Sequence, residues 1–132
     1  MNVRRAFNTR TFARWSRKAA LPGSSLCKAV EEMAAGLIDA DLGGKVYKKR
    51  VSLPGRGKRG GARTIVGSNL GDRWFFIFGF EKNDRASIGA RELAALQKTA
   101  AALLALNTMF LELALDEREL TEICHEEKSL TQ

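Results

Sequence analysis

The residues of this chain best suited to chemistry are the lysines and arginines between positions 48 and 63. Seven of these sixteen residues are basic, none is acidic, and four glycines are interleaved with them. So much positive charge on a bendable segment is unfavourable unless a negatively charged partner binds there. The phosphate backbone of a nucleic acid fits best, because each phosphate that a cation neutralises releases a counterion. The seven cations are Lys48, Lys49, Arg50, Arg56, Lys58, Arg59 and Arg63.

The charge of the whole chain is divided unevenly between its two halves. The 132 residues carry a formal net charge of +7. Residues 1–63 have 15 basic and four acidic side chains, whereas residues 64–132 have seven basic and 11 acidic ones. A basic half beside an acidic half predicts a nucleic-acid-binding face on one side of the molecule only.

Other interpretations of the basic segment explain less of it. Gly55, Gly57 and Gly60 match the dinucleotide-binding pattern G-x-G-x-x-G, but that pattern requires a following helix, and the residues that follow are β-type. No Gly-Lys-Ser/Thr follows, so the segment is not a P-loop. Residues 48–51 also resemble a nuclear localisation patch, although such short basic runs are common. A solvated strand edge would explain two lysines but not the loop and Arg63 as well. We therefore interpret the glycines as a mobile loop that carries phosphate-binding cations.

Cysteine and histidine chemistry is not indicated. Cys27 and Cys124 lie far apart, each in a predicted helix, and two thiols make neither a disulfide framework nor a zinc site. We expect both to be free thiols in a reducing cytoplasm. His125, the one histidine, has no catalytic partner nearby in sequence, so we expect it to be solvated. The sequence therefore predicts no metal and no cofactor.

The apolar periodicity predicts the elements that must position the basic segment. Residues 1–20 hold six basic and no acidic side chains, which also suits an organelle transit peptide, but Phe12, Trp15 and Ala19 share one face of a structured helix. Thr9 or Thr11 is predicted to cap the start of the first helix, and Ser24 or Ser25 the start of the second. Asn107 is predicted to cap the end of the long helix. In order, the elements are a short edge strand at 6–9, helices at 9–21 and 24–36, strands at 45–53, 62–68 and 73–82, and helices at 90–106, 108–115 and from 116 onward.

These elements predict a small α+β fold in which two N-terminal helices pack on an antiparallel sheet of three to four strands, followed by a C-terminal helix. We expect one domain, with residues 1–106 as its main body and residues 107–132 as a C-terminal helical extension. The apolar runs are too short for a transmembrane helix, so no membrane association is predicted.

The strand at 73–82 is the strongest in the chain and is apolar on both faces, so we place it centrally. Its aromatic residues could form a base-stacking platform, although an aromatic run at strand spacing is more often core. We set Phe80 apart because it shares a face with Lys82 at the end of the strand. The aromatic residues are Trp74, Phe75, Phe76, Phe78 and Phe80.

Several segments resemble the RelE-type toxins of bacterial type II toxin–antitoxin modules, in the HigB-like branch with a Gly-x-Gly-Lys-x-Gly-Gly-x-Arg signature. The resemblance covers about residues 5–106, and its central motif, with a Phe-x-Lys segment at the right distance, is fairly specific. The segments are Asp41–Gly44, Tyr47–Val51, Gly55–Thr64, Phe76–Arg85 and Glu92–Leu93, with Phe12–Trp15 and Leu26–Val30 near the start.

The resemblance implies an mRNA endoribonuclease that inhibits translation, commonly by cutting mRNA in the ribosomal A site. It implies attack by a 2′-hydroxyl on the neighbouring phosphate, without a metal, leaving a 2′,3′-cyclic phosphate and a 5′-hydroxyl. It also implies a cognate antitoxin, which in this branch is usually a helix-turn-helix DNA-binding protein. Such a protein would act in the cytoplasm.

The resemblance also assigns roles to residues. Lys49 and Arg50 would bind phosphate, with the role of base as a further assignment, and Lys58 would hold the scissile phosphate. Arg63 would stabilise the phosphorane, and Lys82 would serve as acid or second cation. The expected catalytic residues are Lys49, Lys58, Arg63 and Lys82, and the expected RNA-binding residues are Lys48, Arg50, Arg56, Arg59, Phe80, which would stack on a base, and Arg85.

Two alternatives share the same fold and basic sheet. One is a non-catalytic nucleic-acid-binding or autoregulatory domain. The other is a gyrase inhibitor of the ParE type, which acts by binding a protein. Cut mRNA in induced cells would favour the ribonuclease, and intact mRNA with DNA-damage signalling would favour the gyrase inhibitor.

Overall fold

The structure, a computed structural model, describes residues 4–55 and 57–124, without the side chains of residues 57–60. The chain forms six strands and four helices within these ranges. In chain order they are β1 (Arg5–Thr9), α1 (Arg10–Lys18), α2 (Gly23–Ala34), β2 (Ala40–Gly43), β3 (Val46–Leu53), β4 (Gly57–Ser68), β5 (Arg73–Glu81), α3 (Ala90–Leu104), α4 (Thr108–Asp116) and β6 (Leu120–Ile123).

The strands form one mixed sheet in the order β2-β3-β4-β5-β1-β6. β1 is parallel to β5, and the other neighbouring pairs are antiparallel. The predicted α+β class is therefore confirmed, but the predicted antiparallel sheet of three to four strands is wrong in both strand count and direction. β5 lies centrally, between β4 and β1, as predicted. β1 is not an edge strand, because β6 pairs along its other side.

The sheet carries two helices on each face, and each face has its own apolar core. α1 and α2 pack on one face through Phe12, Leu26 and Met33, against Val51 and Ala62 of the sheet. α3 and α4 cover part of the opposite face, where their apolar side chains meet Val46, Ile65 and Phe80. The leucine stripe predicted for α3 lies in this second core, as expected (Leu93, Leu96, Ala100, Leu103 and Leu104).

The differences from the predicted elements are concentrated at short segments. β2 and β6 each have four residues, which is too few to produce a readable alternation. The acidic residues from Asp116 suggested a helix start, but Arg118 adopts a left-handed conformation (φ 61°) and turns the chain into β6. The last predicted helix is therefore a strand.

The helix caps also differ in part. Thr9 caps α1 as predicted, accepting a hydrogen bond from the backbone N of Phe12 at 3.2 Å. α1 ends at Lys18 rather than near residue 21. The N-cap of α2 is Pro22 rather than a serine, without a side-chain hydrogen bond. Asn107 caps the start of α4 rather than the end of α3, since its Oδ1 accepts from the backbone N of Phe110 at 2.8 Å.

Cys27 and Cys124 form a disulfide between α2 and the residue that follows β6, across a sequence separation of 97. The expectation of two free thiols is therefore wrong, and Cys124 does not lie in a helix. The reason is the pairing of β6 with β1, which brings Cys124 into the core below α2. His125 lies outside the described residues.

No single helix in the described ranges is long and apolar enough to cross a membrane. α3 and α4 reach that length and composition only as a pair, and the pair is bent by 110°.

Candidate nucleic-acid-binding site

The strand register places the predicted basic and aromatic side chains in two rows across the sheet. Arg50 of β3 pairs with Arg63 of β4, and Arg63 pairs with Phe80 of β5. The neighbouring row joins Lys48, Ile65 and Phe78. Paired residues point to the same face of a sheet, and neighbouring strands lie about 4.8 Å apart. Both rows face the side covered in part by α3, since Ile65, Phe78 and Phe80 lie in the same core as the leucines of that helix.

A β-bulge in β5 sets which aromatic residues belong to this face. Ile65 pairs with Phe78 but Val66 pairs with Phe76, so Ile77 is an extra residue in β5. The extra residue reverses the alternation, and Phe78 and Phe80 therefore point to the same face as Arg63. Bulges are common next to functional sites, where they redirect side chains.

Arg63 is the centre of the arrangement. Its Nη1 atom is buried and has no hydrogen-bond partner among the described residues. The cation directly opposite, Arg50, is exposed, and its Nε donates to Asp39 Oδ1 at 3.3 Å. Like charges directly opposite each other destabilise a sheet, and a buried donor without an acceptor costs free energy. An anion that contacted both guanidinium groups would reduce both costs.

Arg85 covers the aromatic end of the first row. Its guanidinium carbon lies 5.5 Å from the ring centroid of Phe80 and 5.7 Å from that of Phe78. The same guanidinium binds both carboxylate oxygens of Glu92, with Nη1 2.9 Å from Oε2 and Nη2 in a short contact with Oε1. This hydrogen bonding raises the pKa of Arg85 and lowers the pKa of Glu92 below its ordinary value of 4.5. Arg85 is thus neutralised within the protein and holds the start of α3 against β5.

Two further cations border the site without ion-pair partners in the part of the chain that the structure describes. Lys48 is half-buried in the second row. Lys82 is exposed in the turn that follows β5. Together with Arg50 and Arg63 they form a positively charged surface at one end of the sheet, which suits binding of a polyanion.

The sequence model of one protein family matches residues 4–123, and its description is "RelE toxin of RelE / RelB toxin-antitoxin system". The chain belongs to the RelE toxin family. No curated protein matches the chain. The predicted resemblance to RelE-type toxins is therefore confirmed, and membership of this family implies a cognate antitoxin.

The toxin's fold separates Lys49 from the other predicted site residues. Lys49 points to the opposite face of the sheet, where its side chain is 5% exposed. Its Nζ lies 2.9 Å from Glu32 Oε1 and donates to the backbone oxygen of Leu37 at 2.9 Å. The two contacts fix Lys49 beneath the end of α2, away from Arg50 and Arg63.

The remaining predictions fall on the hairpin between β3 and β4. Arg56 lies outside the described residues, and so do the side chains of Lys58 and Arg59. Their expected roles stay predictions. The predicted glycine loop is partly wrong, because the backbone from Gly57 onward belongs to β4, and Gly57 pairs with Leu53.

Phe80, which the sequence sets apart to stack on a base, is more buried than Phe78, which it groups with the core. Phe80 is 4% exposed and lies beneath Arg85, whereas Phe78 is only half-buried. Reasoning from the sequence assigned Phe78 to the core because only Phe80 stands beside Lys82 at the end of the strand. Its place two residues before Phe80 was the one available signal that the two rings share a face.

Proposed function

We propose that this RelE-family toxin is an endoribonuclease that cuts mRNA in the ribosomal A site and so inhibits translation. The observation that carries the proposal is the Arg50–Arg63 pair, with the buried, unpartnered Nη1 of Arg63 between neighbouring strands. A phosphate group offers acceptor oxygens in the geometry that guanidinium groups bind best. The proposed place of action is the cytoplasm, where mRNA is translated.

In the proposed reaction, the 2′-oxygen of a ribose forms a bond to the adjacent phosphorus while the bond from phosphorus to the 5′-oxygen breaks. The proton of the 2′-hydroxyl passes to a base, and an acid gives a proton to the leaving 5′-oxygen. The products are a 2′,3′-cyclic phosphate and a 5′-hydroxyl. The nucleophile belongs to the RNA, so we propose that the reaction does not depend on a metal ion.

The residues take their proposed roles from their positions. Arg63 donates to the equatorial oxygens of the phosphorane, whose extra negative charge strengthens this contact in the transition state. Lys48 and Arg50 bind the RNA backbone along β3. Lys82, exposed at the end of β5, supplies the proton for the 5′-oxygen or a second cation. We assign no catalytic role to Lys49, and we retain the scissile phosphate as the proposed ligand of Lys58.

We further propose that the toxin belongs to the HigB-like branch and that its antitoxin is a helix-turn-helix DNA-binding protein. The Gly-x-Gly-Lys-x-Gly-Gly-x-Arg signature at residues 55–63 supports the assignment to this branch. Co-expression of a neighbouring gene for such a protein should abolish the toxicity.

The test is induced expression of the wild-type toxin, with growth and mRNA ends measured together. We expect growth arrest and new mRNA 5′ ends in primer extension, carrying hydroxyl rather than phosphate groups. Arg63→Ala should fold, since it removes an unpartnered donor, and should lose both effects. Lys98→Ala is the matched control, because Lys98 is an exposed cation on α3. Growth arrest with intact mRNA would reject the ribonuclease, and accompanying DNA damage would indicate a gyrase inhibitor.

A further inference from the structure

A groove of about 270 Å³ opens beside α1, on the other side of β5 from Arg50. It lies where the pairing of β1 with β5 ends, at Asn8 and Phe76, so that α1 rather than a strand flanks the rest of β5. The residues that line the groove include Phe12, Arg14, Trp15, Lys18, Phe78 and Gly79.

One wall of the groove is fixed by close packing. Trp15 lies flat against β5 at Gly79, where an added Cβ would come within 2.4 Å of the indole. Its ring centroid is 5.5 Å from that of Phe12, which is fully buried. Trp15 is nevertheless only half-buried, so part of its indole faces the groove. The wall is therefore both rigid and aromatic.

The groove is continuous with the candidate site through Phe78. This residue lines the groove, and its ring centroid lies 6.1 Å from that of Phe80. The guanidinium of Arg85 lies over both rings. α1 packs on the opposite face of the sheet, so an RNA strand whose phosphate is bound at Arg63 would reach the groove by crossing the edge of β5 that β1 leaves unpaired beyond Phe76.

The charge of α1 is also unusual. Its nine residues include four cations and no acidic side chain. Arg10 is engaged, since its guanidinium donates to two backbone oxygens near the end of α4. Arg14 and Lys18, which line the groove, are exposed and make no ion pair within the described ranges. The favourable effect of cations in the last helical turn accounts for Arg17 and Lys18 but not for Arg14.

We propose that this groove binds an unpaired base of the RNA that flanks the cleaved phosphate. The base stacks on the exposed part of Trp15, beside Phe78 at the unpaired edge of β5, and the adjacent phosphates bind Arg14 and Lys18. Aromatic walls next to cations are the general means by which proteins hold single-stranded nucleic acid. An acidic peptide would use the cations but not the stacking surface. The inference rests on the proposed ribonuclease function and adds a second RNA-binding subsite to it.

The experiment measures binding of a fluorescent single-stranded RNA with 2′-O-methyl riboses, which lack the nucleophile and stay uncut. Arg14→Ala/Lys18→Ala removes two phosphate contacts. The plot of log affinity against log salt should therefore become less steep by about 1.4, and the affinity should fall roughly ten-fold. Arg17→Ala/Lys28→Ala is the matched control, because it removes the same charge from exposed positions outside the groove. This variant should keep the wild-type slope. Photo-crosslinking of 5-iodouridine, placed at each position in turn, should label Trp15 or Phe78 from one position.

Equal slopes for the two double variants would overturn the inference, since net charge alone would then explain any loss. Crosslinks that avoid both aromatic residues would also overturn it. A third outcome would also overturn it. If Arg14→Ala/Lys18→Ala bound RNA like the wild type but bound the antitoxin more weakly, the groove would be a protein-binding site. Failure of the proposed function looks different, since the wild-type toxin would then leave mRNA uncut whether or not it binds RNA.

Discussion

Neighbouring residues Lys48 and Lys49 should respond in opposite ways to the same substitution. They lie on opposite faces of β3, and only Lys49 is buried. The Nζ of Lys49 bonds Glu32 and the backbone oxygen of Leu37, both at 2.9 Å. Lys49→Met keeps the aliphatic length of the side chain but removes both contacts. Its effect should therefore fall on stability rather than on RNA cleavage.

The size of the effect follows from what the substitution leaves behind. Removing one partner of a buried ion pair costs about 3–5 kcal/mol. The side chain of Glu32 is 23% exposed, so water can solvate part of its carboxylate. We therefore expect a loss at the low end of that range, about 3 kcal/mol. For a chain of this size the melting temperature should fall by roughly 12 °C.

The assay is urea and thermal unfolding of each variant, followed by RNA cleavage at a temperature where all variants are folded. Lys49→Met should unfold early yet cut RNA at the wild-type rate. Lys48→Met, the matched control, should change the free energy of unfolding by less than about 0.5 kcal/mol and weaken RNA binding. If Lys49→Met were as stable as the wild type but no longer cut RNA, Lys49 would be catalytic, and its ion pair with Glu32 would not stabilise the fold as argued.

Two other predictions concern contacts that join a helix to a segment outside it. Without a reductant, Cys27→Ser should lower the free energy of unfolding by up to about 4.7 kcal/mol, since the Cys27–Cys124 bond closes a loop of nearly 100 residues. Dithiothreitol should lower the stability of the wild type to that of the variant and leave the variant unchanged, and equal unfolding midpoints throughout would contradict this. The Arg85–Glu92 contact should stabilise the fold fully above pH 4.5 and lose its contribution as the pH falls through the lowered pKa of Glu92. Glu92→Gln should remove that part of the pH dependence in urea unfolding, and an unchanged profile would contradict the assignment.

The sequence was sufficient to predict the main strands and the alternation within them. Strand alternation alone puts Lys48 and Arg50 on one face of β3 and Lys49 on the other, and the structure has this division. This succeeded because side-chain direction in a strand depends only on local geometry. Which of the two faces is covered by α2 depends on tertiary packing, so the burial of Lys49 could not be predicted.

The features that the sequence could not show all depend on distant residues. The bulge at Ile77 is defined only by the register of β5 against β4. β6 has four residues and forms because β1 offers it a free side, and the disulfide of Cys124 follows from that pairing. Local patterns contain no information about such partners, and the acidic residues before β6 even favoured a helix.

The position of the candidate site follows from where α3 sits on the sheet. Ala100 packs directly on Gly67, where an added Cβ would come within 2.8 Å of the alanine Cβ. This close approach seats the second half of α3 over the far end of β4. The Arg85–Glu92 contact then fixes the first turn of α3 beside Phe80. The helix therefore borders the row that contains Arg63 without covering Arg50, and Arg50 remains exposed because of helix packing rather than because of a separate loop.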